Sequence, residues 1–324
     1  MASGWAPKNL NQNQVADGEA YHCALYHQGD IHRPAKWHEE SVSHLLELAM
    51  GGIRDGSVVV DYGSGTGGSA IELLKITDDL GISIDLVLID PLESWFGKAW
   101  EILCHRDDVH FKISTAIDSG GNVIFRDLEE MLGPRKADVI ISSSTLHLVP
   151  LKALENLAKQ FARCLAHGGV VVWNSGDVEC DWREENVARL HDPYRAIREH
   201  IRNHDSRLEI LDSMESEIAT KAERRIDRIF PEPFSISDMI PRIESAGFST
   251  ELSDKVVDFH EQDAERFILV PRLAGIAAPL LAGDLRDSVI RDALAIVMER
   301  MREKGSCFEG GYRSHWVYGL HRLT

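Results

Sequence analysis

The chain has 324 residues, a formal net charge of −17, and ordinary shares of hydrophobic and charged residues, 44% and 27%. That length suits one large domain with a lid, and so acidic a surface repels phosphate groups, which argues against nucleic-acid and membrane partners. Because the sequence has no apolar run long enough to span a membrane, no signal-peptide pattern and no CxxC pair among its five cysteines, we expect a cytoplasmic protein without a metal centre.

The first half of the chain alternates short apolar runs with helical patterns. Residues 1–34 have no periodic pattern and are predicted to be irregular, and a helix is predicted from Ala35 to Met50. The strands predicted next are Ser57–Asp61, Asp85–Asp90, Val109–Ser114, Ala137–Ser142 and Gly169–Asn174. The helices predicted among them are Thr66–Ile76, Glu93–Cys104 and Leu151–Ala166. Continuous apolar strands separated by helices predict a parallel sheet that is buried on both faces.

The second half contains two charged helical insertions, at about 176–233 and 263–304. The elements predicted outside them are a helix, Ser235–Ala246, and two strands, Phe248–Phe259 and Tyr312–His321. Because the last strand returns to the sheet, we predict a single α/β domain with a Rossmann-like, mostly parallel seven-stranded sheet, helices on both faces and helical lid insertions. Residues 1–52 are predicted to form a cap on the domain made by residues 53–324.

The strongest local pattern is a glycine-rich turn after the first of these strands, Val58-Val59-Val60-Asp61-Tyr62-Gly63-Ser64-Gly65-Thr66-Gly67-Gly68. Glycines there let the backbone turn tightly and approach a ligand, and the helix N-terminus offers N–H groups to an anion. Gly63, Gly65 and Gly68 match the dinucleotide pattern GxGxxG, and Asp90 follows at the spacing of a ribose-binding acid. An enzyme that uses a nicotinamide or flavin cofactor is therefore one open interpretation.

Asp61 is an argument against a dinucleotide. Its carboxylate stands two residues before Gly63, close to where a pyrophosphate would lie, and would repel it. The same negative charge favours a cofactor that carries an ammonium and a sulfonium. The sequence also lacks a YxxxK pair or another dehydrogenase pattern. The loop therefore favours a cofactor other than a dinucleotide.

Six segments, in order along the chain, resemble the class I S-adenosylmethionine (SAM)-dependent methyltransferases, particularly small-molecule enzymes similar to the quinone-biosynthesis methyltransferases. The segments are VVVDYGSGTGG, LVLID, ADVIISSSTLHLVP, LKALENLAKQFARCLAHGGVVVWNS, FSISDMIPRIESAGF and GGYRSHWVYGLHR. The likeness covers Ser57 to Asn174 well and the last third of the chain loosely. It implies a SAM-binding sheet whose last strand lies antiparallel between its neighbours.

The resemblance assigns cofactor contacts to residues that follow the strands. Gly63 and Gly65 would pass close to the methionine part of SAM, and Asp61 would help to hold its amino group. Asp90 would accept hydrogen bonds from the ribose, and Ser143 would face the methyl-donor end. The other positions that would border the cofactor, the last two of them beside the adenine, are Tyr62, Ser64, Pro91, Thr115 and Ala116.

His147 is the catalytic candidate. Methyl transfer needs a base only where the acceptor must lose a proton. His147 follows the carboxyl end of the fourth strand, where ligands gather in open α/β sheets, and an imidazole titrates near neutral pH. The equally open alternative is a histidine packed under the next helix.

The N-terminal segment supplies the candidate acceptor-binding residues Tyr21, His22, His27 and Arg33, which would line a lid. The spacing of the histidines matches no standard metal pattern, so no metal site is predicted there, and a solvated surface is the alternative. The sequence thus favours a SAM-dependent methyltransferase that acts on carbon, nitrogen or oxygen of a small molecule, in secondary metabolism. An NAD(P)-dependent oxidoreductase and a non-catalytic SAM-binding protein remain alternatives, and the oligomeric state is not indicated.

Overall fold

A central β-sheet with helices on both faces forms the body of the protein. The computed structural model describes residues 3–226 and 232–324. The strands are β1 Ser3–Gly4, β2 Ser57–Tyr62, β3 Ile84–Asp90, β4 Val109–Ile113, β5 Thr115–Ile117, β6 Val123–Phe125, β7 Ala137–Ser143, β8 Leu165–Ser175, β9 Phe248–His260, β10 Cys307–Phe308 and β11 Gly311–Leu323.

The helices of the first half are α1 Gln12–Leu25, α2 Lys36–Met50, α3 Gly68–Leu80, α4 Glu93–Leu103, α5 Leu128–Leu132 and α6 Leu151–Cys164. Those of the second half are α7 Asp192–Arg202, α8 Asp205–Asp212, α9 Ser216–Ile226, α10 Ile236–Glu244, α11 Glu261–Ile268, α12 Pro271–Ala277 and α13 Gly283–Glu303. Short 3₁₀ turns are formed by His27–Gly29 and Leu146–Leu148. Each helix predicted from the sequence is found, with ends shifted by a few residues.

The sheet order confirms the predicted Rossmann-like fold. Strands β4, β3, β2, β7 and β8 are neighbours in that order and run parallel, and β11 lies antiparallel between β8 and β9. All seven predicted strands belong to this sheet. Among the described residues the sheet has nine strands rather than seven, because two-residue strands are added where β1 pairs with β4 and β10 pairs with β11.

Alternate residues of the parallel strands bury opposite faces of the sheet. Val59 faces one apolar core, which it shares with Leu45 of α2 and Leu73 of α3, whereas Val60 faces the other, which includes Leu154 of α6. Burying each such side chain contributes roughly 1.5–3 kcal/mol. The two cores fix the strand register, so the carboxyl ends of β2, β3, β7 and β8 meet at one edge.

The prediction that residues 1–34 are irregular is wrong, because α1 occupies Gln12–Leu25. Asn11 caps this helix with Gln14, since each side chain accepts a hydrogen bond from the other residue's backbone N–H. The apolar residues of α1 form no clear stripe, which is why a search for periodicity misses it. The helix packs on α4, where the backbone of Gly18 closely approaches that of Ser94.

The two predicted insertions are helical, as expected. The first forms α7, α8 and α9, preceded by an irregular stretch, and its residues 227–231 lie outside the described part of the chain. The second forms α11, α12 and α13. Within residues 3–226 and 232–324, no helix combines the length and apolar character that crossing a membrane requires. The boundary between a cap and a main domain at residue 52 stays a prediction.

Candidate active site

The glycine-rich loop joins β2 to α3 at the edge where the parallel strands end. Gly63, Gly65 and Gly67 have φ angles of 78°, 55° and 83°, a region that side-chain-bearing residues rarely adopt. At Gly63 a Cβ would also overlap Thr145, whose Oγ1 donates to the Gly63 carbonyl at 3.2 Å. Glycine is therefore required at position 63 by both the backbone angle and the space.

Asp61 lies beneath this loop and is almost completely buried. Its Oδ2 accepts a hydrogen bond of 2.9 Å from Ser69 Oγ, whereas Oδ1 has no partner among the described residues. Burial, reinforced by the charge of Asp90, raises the pKa of Asp61 to about 7, although the Ser69 hydrogen bond opposes this shift. A cationic ligand beside Asp61 would therefore relieve an electrostatic cost.

Asp90 ends β3 and ties the loop to that strand. One carboxylate oxygen accepts the Gly65 N–H at 2.8 Å and the other accepts the Leu92 N–H at 2.7 Å. Burial raises the pKa of Asp90 to about 6, with the two backbone hydrogen bonds opposing the shift. Each oxygen keeps a second lone pair, so a ribose hydroxyl can still share the carboxylate.

Two aromatic rings cover Gly65. Tyr21 of α1 stacks on Trp95 of α4, with ring centroids 4.0 Å apart and planes 13° apart. Tyr21 is placed so that a Cβ added to Gly65 would lie 3.7 Å from its ring. Burial and the charge of Asp90 raise the pKa of the Tyr21 hydroxyl to about 12, so it stays protonated. The N-terminal segment thus reaches the loop through Tyr21.

A cleft of about 1180 Å³ opens beside the ends of β3 and β4. Pro91, Thr115 and Ala116 line it, as do Asp17 of α1 and Arg272 of α12. The Asp17 carboxylate accepts the backbone N–H of Arg272 at 2.9 Å, so the C-terminal insertion is attached to the rim. The adenosine half of SAM is expected at this position, and the cleft has room for it.

The ends of β7 and β8 form the other half of the site. Ser143 Oγ donates to Asn174 Oδ1 at 3.1 Å, and the Ser144 N–H donates to the same oxygen at 3.0 Å. Ser144 has a φ of 50°, a strained value for a serine, and such strain concentrates at functional sites. Ser143 therefore lies at the expected edge, but its hydroxyl is directed to β8.

His147 is buried in the 3₁₀ turn that follows β7. Its Nδ1 lies 3.0 Å from Ser175 Oγ, and Nε2 has no partner among the described residues. Burial lowers the pKa of His147 to about 3; the charge of Asp177 opposes this shift, and those of His191 and Arg195 add to it. His147 is therefore a neutral imidazole at pH 7.

Asp177 and His191, which the sequence reasoning did not single out, lie beside His147. Asp177 Oδ2 is 3.0 Å from His191 Nδ1, and the His147 and His191 ring centroids are 5.5 Å apart. Arg195 donates to both oxygens of Asp177, at 2.9 and 2.6 Å. Their only sequence signal is the position of Asp177 just after a parallel strand.

The structure does not bring Tyr62 and the N-terminal candidate residues together at one place. Tyr62 packs edge-on against Phe161, with ring centroids 5.2 Å apart. His22 is buried next to Tyr26, and its Nε2 lies 3.3 Å from the Gly29 carbonyl. His27 and Arg33 line a separate cavity of about 410 Å³ together with Cys23, Gln28 and Arg266. Of the four N-terminal candidates, only Tyr21 lies over the glycine loop.

The residues at the loop fit the SAM expected from the resemblance. Several of their polar atoms are buried without a hydrogen-bond partner among the described residues, namely Asp61 Oδ1, Ser64 Oγ, Thr66 Oγ1 and Trp95 Nε1. Buried polar groups are normally paired, so such a cluster indicates a place for a polar ligand or water. The ammonium and carboxylate of a methionine group carry the donors and acceptors that these atoms lack.

Comparison with known proteins also indicates a methyltransferase. A family profile described as a methyltransferase domain matches residues 33–216, more than half of the chain. No curated protein matches the chain significantly. A solved structure of a candidate sarcosine dimethylglycine methyltransferase from Galdieria sulphuraria is similar, with a TM-score of 0.51 and 13% identity over 97% of this chain and 99% of that one. A cyclopropane synthase from Mycobacterium tuberculosis has a TM-score of 0.51 and 10% identity over 97% and 95% of the two chains. At these identities the likeness shows the fold alone. The chain belongs to the methyltransferase-domain family, in the class I group whose cofactor is S-adenosylmethionine.

Proposed function

We propose that this protein transfers a methyl group from SAM to a small-molecule acceptor in secondary metabolism. The observation that carries the proposal is a row of three aromatic rings, Tyr21 of α1, Phe267 of α11 and Tyr194 of α7, that leads from the glycine loop to His191 beside His147. The centroid of the Phe267 ring lies 6.1 Å from that of Tyr21 and 5.4 Å from that of Tyr194. Because these rings come from three helices and connect the two halves of the site, a small acceptor suits it better than a macromolecule.

The cofactor-binding part of the proposal assigns each end of SAM to residues already described. Asp61 would hold the amino group, the Gly63–Gly65 backbone would lie along the methionine part, and Asp90 would bind the ribose. When bound, SAM supplies an electrophilic methyl group on its sulfonium. The protein's contribution is to align the acceptor with that methyl group and to exclude water.

His147 is proposed to assist the loss of the acceptor's proton. It lies near the end of β7, beside the strand ends that hold the cofactor loop, and its Nε2 is buried without a partner among the described residues. Thr145, two residues earlier, contacts Gly63 and so connects the two halves of the site. Burial keeps this imidazole neutral, but a pKa of about 3, instead of the value near neutral pH expected from the sequence, makes it a weak base. It therefore suits an acceptor whose O–H, N–H or C–H group is already acidic, which leaves the methylated atom open.

Thermal unfolding with S-adenosylhomocysteine (SAH), NAD and NADP in separate samples tests the cofactor. A ligand that binds only the folded state raises the unfolding temperature, so a shift with SAH alone is expected. A shift with NAD or NADP alone would make the glycine loop a dinucleotide site and overturn the proposal.

An acceptor screen with methyl-labelled SAM then tests the activity. Label should pass to a small molecule, and His147→Ala should slow this transfer while SAH affinity stays unchanged. An unchanged rate would remove His147 from catalysis. SAH binding without transfer to any acceptor class tested, including peptides and RNA, would favour a non-catalytic SAM-binding protein.

A further inference from the structure

Two histidines and an aspartate from separate parts of the chain meet beside the ends of β7 and β8. His147 follows β7, Asp177 follows β8, and His191 directly precedes α7. One ring nitrogen or carboxylate oxygen of each lies within 4.8 Å of those of the other two. All three residues are buried, so a single small ion can contact three protein ligands at once.

We propose that these three residues, here called the His–Asp–His cluster, bind one divalent transition-metal ion. Two imidazole nitrogens and one carboxylate oxygen suit Zn²⁺, Fe²⁺ or similar ions, whereas Mg²⁺ and Ca²⁺ prefer oxygen ligands alone. The ion's contact with an acceptor rests on the proposed function, but its binding to the cluster does not.

His147 carries the clearest sign of a ligand. The residue is only 6% exposed, and its Nε2 has no hydrogen-bond partner among the described residues. Nδ1 lies 3.0 Å from Ser175 Oγ, which accepts the Asp177 N–H at 3.0 Å. Metal-binding histidines commonly have the other ring nitrogen hydrogen-bonded in this way, which fixes the ring orientation and the tautomer.

Arg195 supports the Asp177 carboxylate with hydrogen bonds. It donates to both oxygens of Asp177, which fixes their direction, and ligating carboxylates are commonly hydrogen-bonded in this manner. An ion binds the ionised form of a carboxylate, and the two hydrogen bonds from Arg195 favour that form.

The charge balance indicates what the ion would do. Arg195 neutralises Asp177, so a divalent ion adds two positive charges that the three ligands leave uncompensated. An anionic oxygen or nitrogen of the acceptor can balance them, and coordination lowers the pKa of such a group. His147 would then assist proton loss as a ligand, with the proton released to solvent, instead of accepting the proton itself.

Calorimetric titration of the EDTA-treated, full-length protein with ZnCl₂ and with MgCl₂ tests the proposal. We expect one Zn²⁺ per chain and no saturable Mg²⁺ binding. His147→Gln and His191→Gln should each weaken Zn²⁺ binding at least about tenfold. The matched control is the double variant His200→Gln/His204→Gln, which removes two neighbouring histidines outside the cluster and should bind Zn²⁺ as wild type does.

Each result of these titrations decides for or against the metal site. Failure of the wild type to bind Zn²⁺, unchanged binding in both cluster variants, or loss of binding in the control would overturn the metal site. If the cluster variants do not fold, the visible spectrum of Co²⁺ added to the wild type decides, since mixed nitrogen and oxygen ligation gives bands that hexaaqua Co²⁺ lacks. SAH titration of the same metal-free sample tests the proposed function independently.

Discussion

Asp61 and Asp90 lie near the ends of neighbouring parallel strands, and the charge of Asp90 adds to burial in raising the pKa of Asp61 to about 7. Two buried carboxyl groups so close together are costly to ionise without a cation between or beside them. Because SAM carries positive charge, its binding would relieve this cost. The pair therefore connects the stability of the free protein to the affinity for the cofactor.

Asp61→Asn should stabilise the cofactor-free protein at pH 8. The folded-state pKa of Asp61 is raised above its unfolded value near 4, so stability is fully present below pH 4 and is lost as the pH rises to about 7. Asparagine mimics the protonated form, so the variant's free energy of unfolding should exceed that of the wild type by on the order of a few kcal/mol at pH 8 and by less at pH 5. Urea unfolding of both proteins at pH 5 and pH 8 measures this difference in the free energy of unfolding. An equal difference at the two pH values would contradict the raised pKa of Asp61.

Asp90→Ala should weaken SAH binding at least about tenfold, and more than His147→Ala does. The variant would lose the proposed ribose contact, and the buried Gly65 N–H and the partly buried Leu92 N–H would lose their acceptor. A buried donor left unpaired costs roughly 1–3 kcal/mol of folding free energy, so the loop that holds the cofactor would also be less well ordered. Calorimetry with SAH compares the two variants. Equal affinities would show that Asp90 does not contact the cofactor.

Trp95 should report cofactor binding. The stacked Tyr21 and Trp95 rings lie over Gly65 at a distance where an added Cβ would just touch them, so a ligand that passes along Gly65 must move them or contact them. Tryptophan fluorescence should therefore change on addition of SAH. The change should largely disappear in Trp95→Phe, although SAH still raises the unfolding temperature of that variant. A signal that is unaffected by this substitution would place the ligand elsewhere.

Gly63→Ala should destabilise the protein by roughly 1–3 kcal/mol or more and abolish SAH binding, because both the positive φ and the Thr145 side chain oppose a Cβ. Gly81→Ala is the matched control. Gly81 also has a positive φ, 66°, but nothing lies within 4 Å of its Cβ position, so only the backbone cost of about 1 kcal/mol applies. Thermal unfolding of both variants measures the difference, and similar losses would contradict the Thr145 overlap.

Much of the fold follows from the sequence, because apolar periodicity is a local property that each segment carries by itself. The seven main strands can be predicted in this way, the turn from Asp61 to Gly67 from its glycines, and the insertions from their charged, helical composition. Helix α1 is not, since it lacks an apolar stripe and depends on packing against α4. The hairpin of β5 and β6 is similarly missed, because three-residue strands are too short to show a pattern.

The residues of the candidate site likewise fall into those that a local pattern defines and those that only packing brings together. Asp90 and the glycines could be placed from the sequence because a strand end, a turn and a spacing define them. The sequence offered Tyr21, His22, His27 and Arg33 as one group, but the fold places only Tyr21 at the loop. It also brings Asp177 and His191 to His147 across gaps of tens of residues. Such meetings depend on how β7, β8 and α7 pack, and no local pattern encodes the distance between side chains on separate elements.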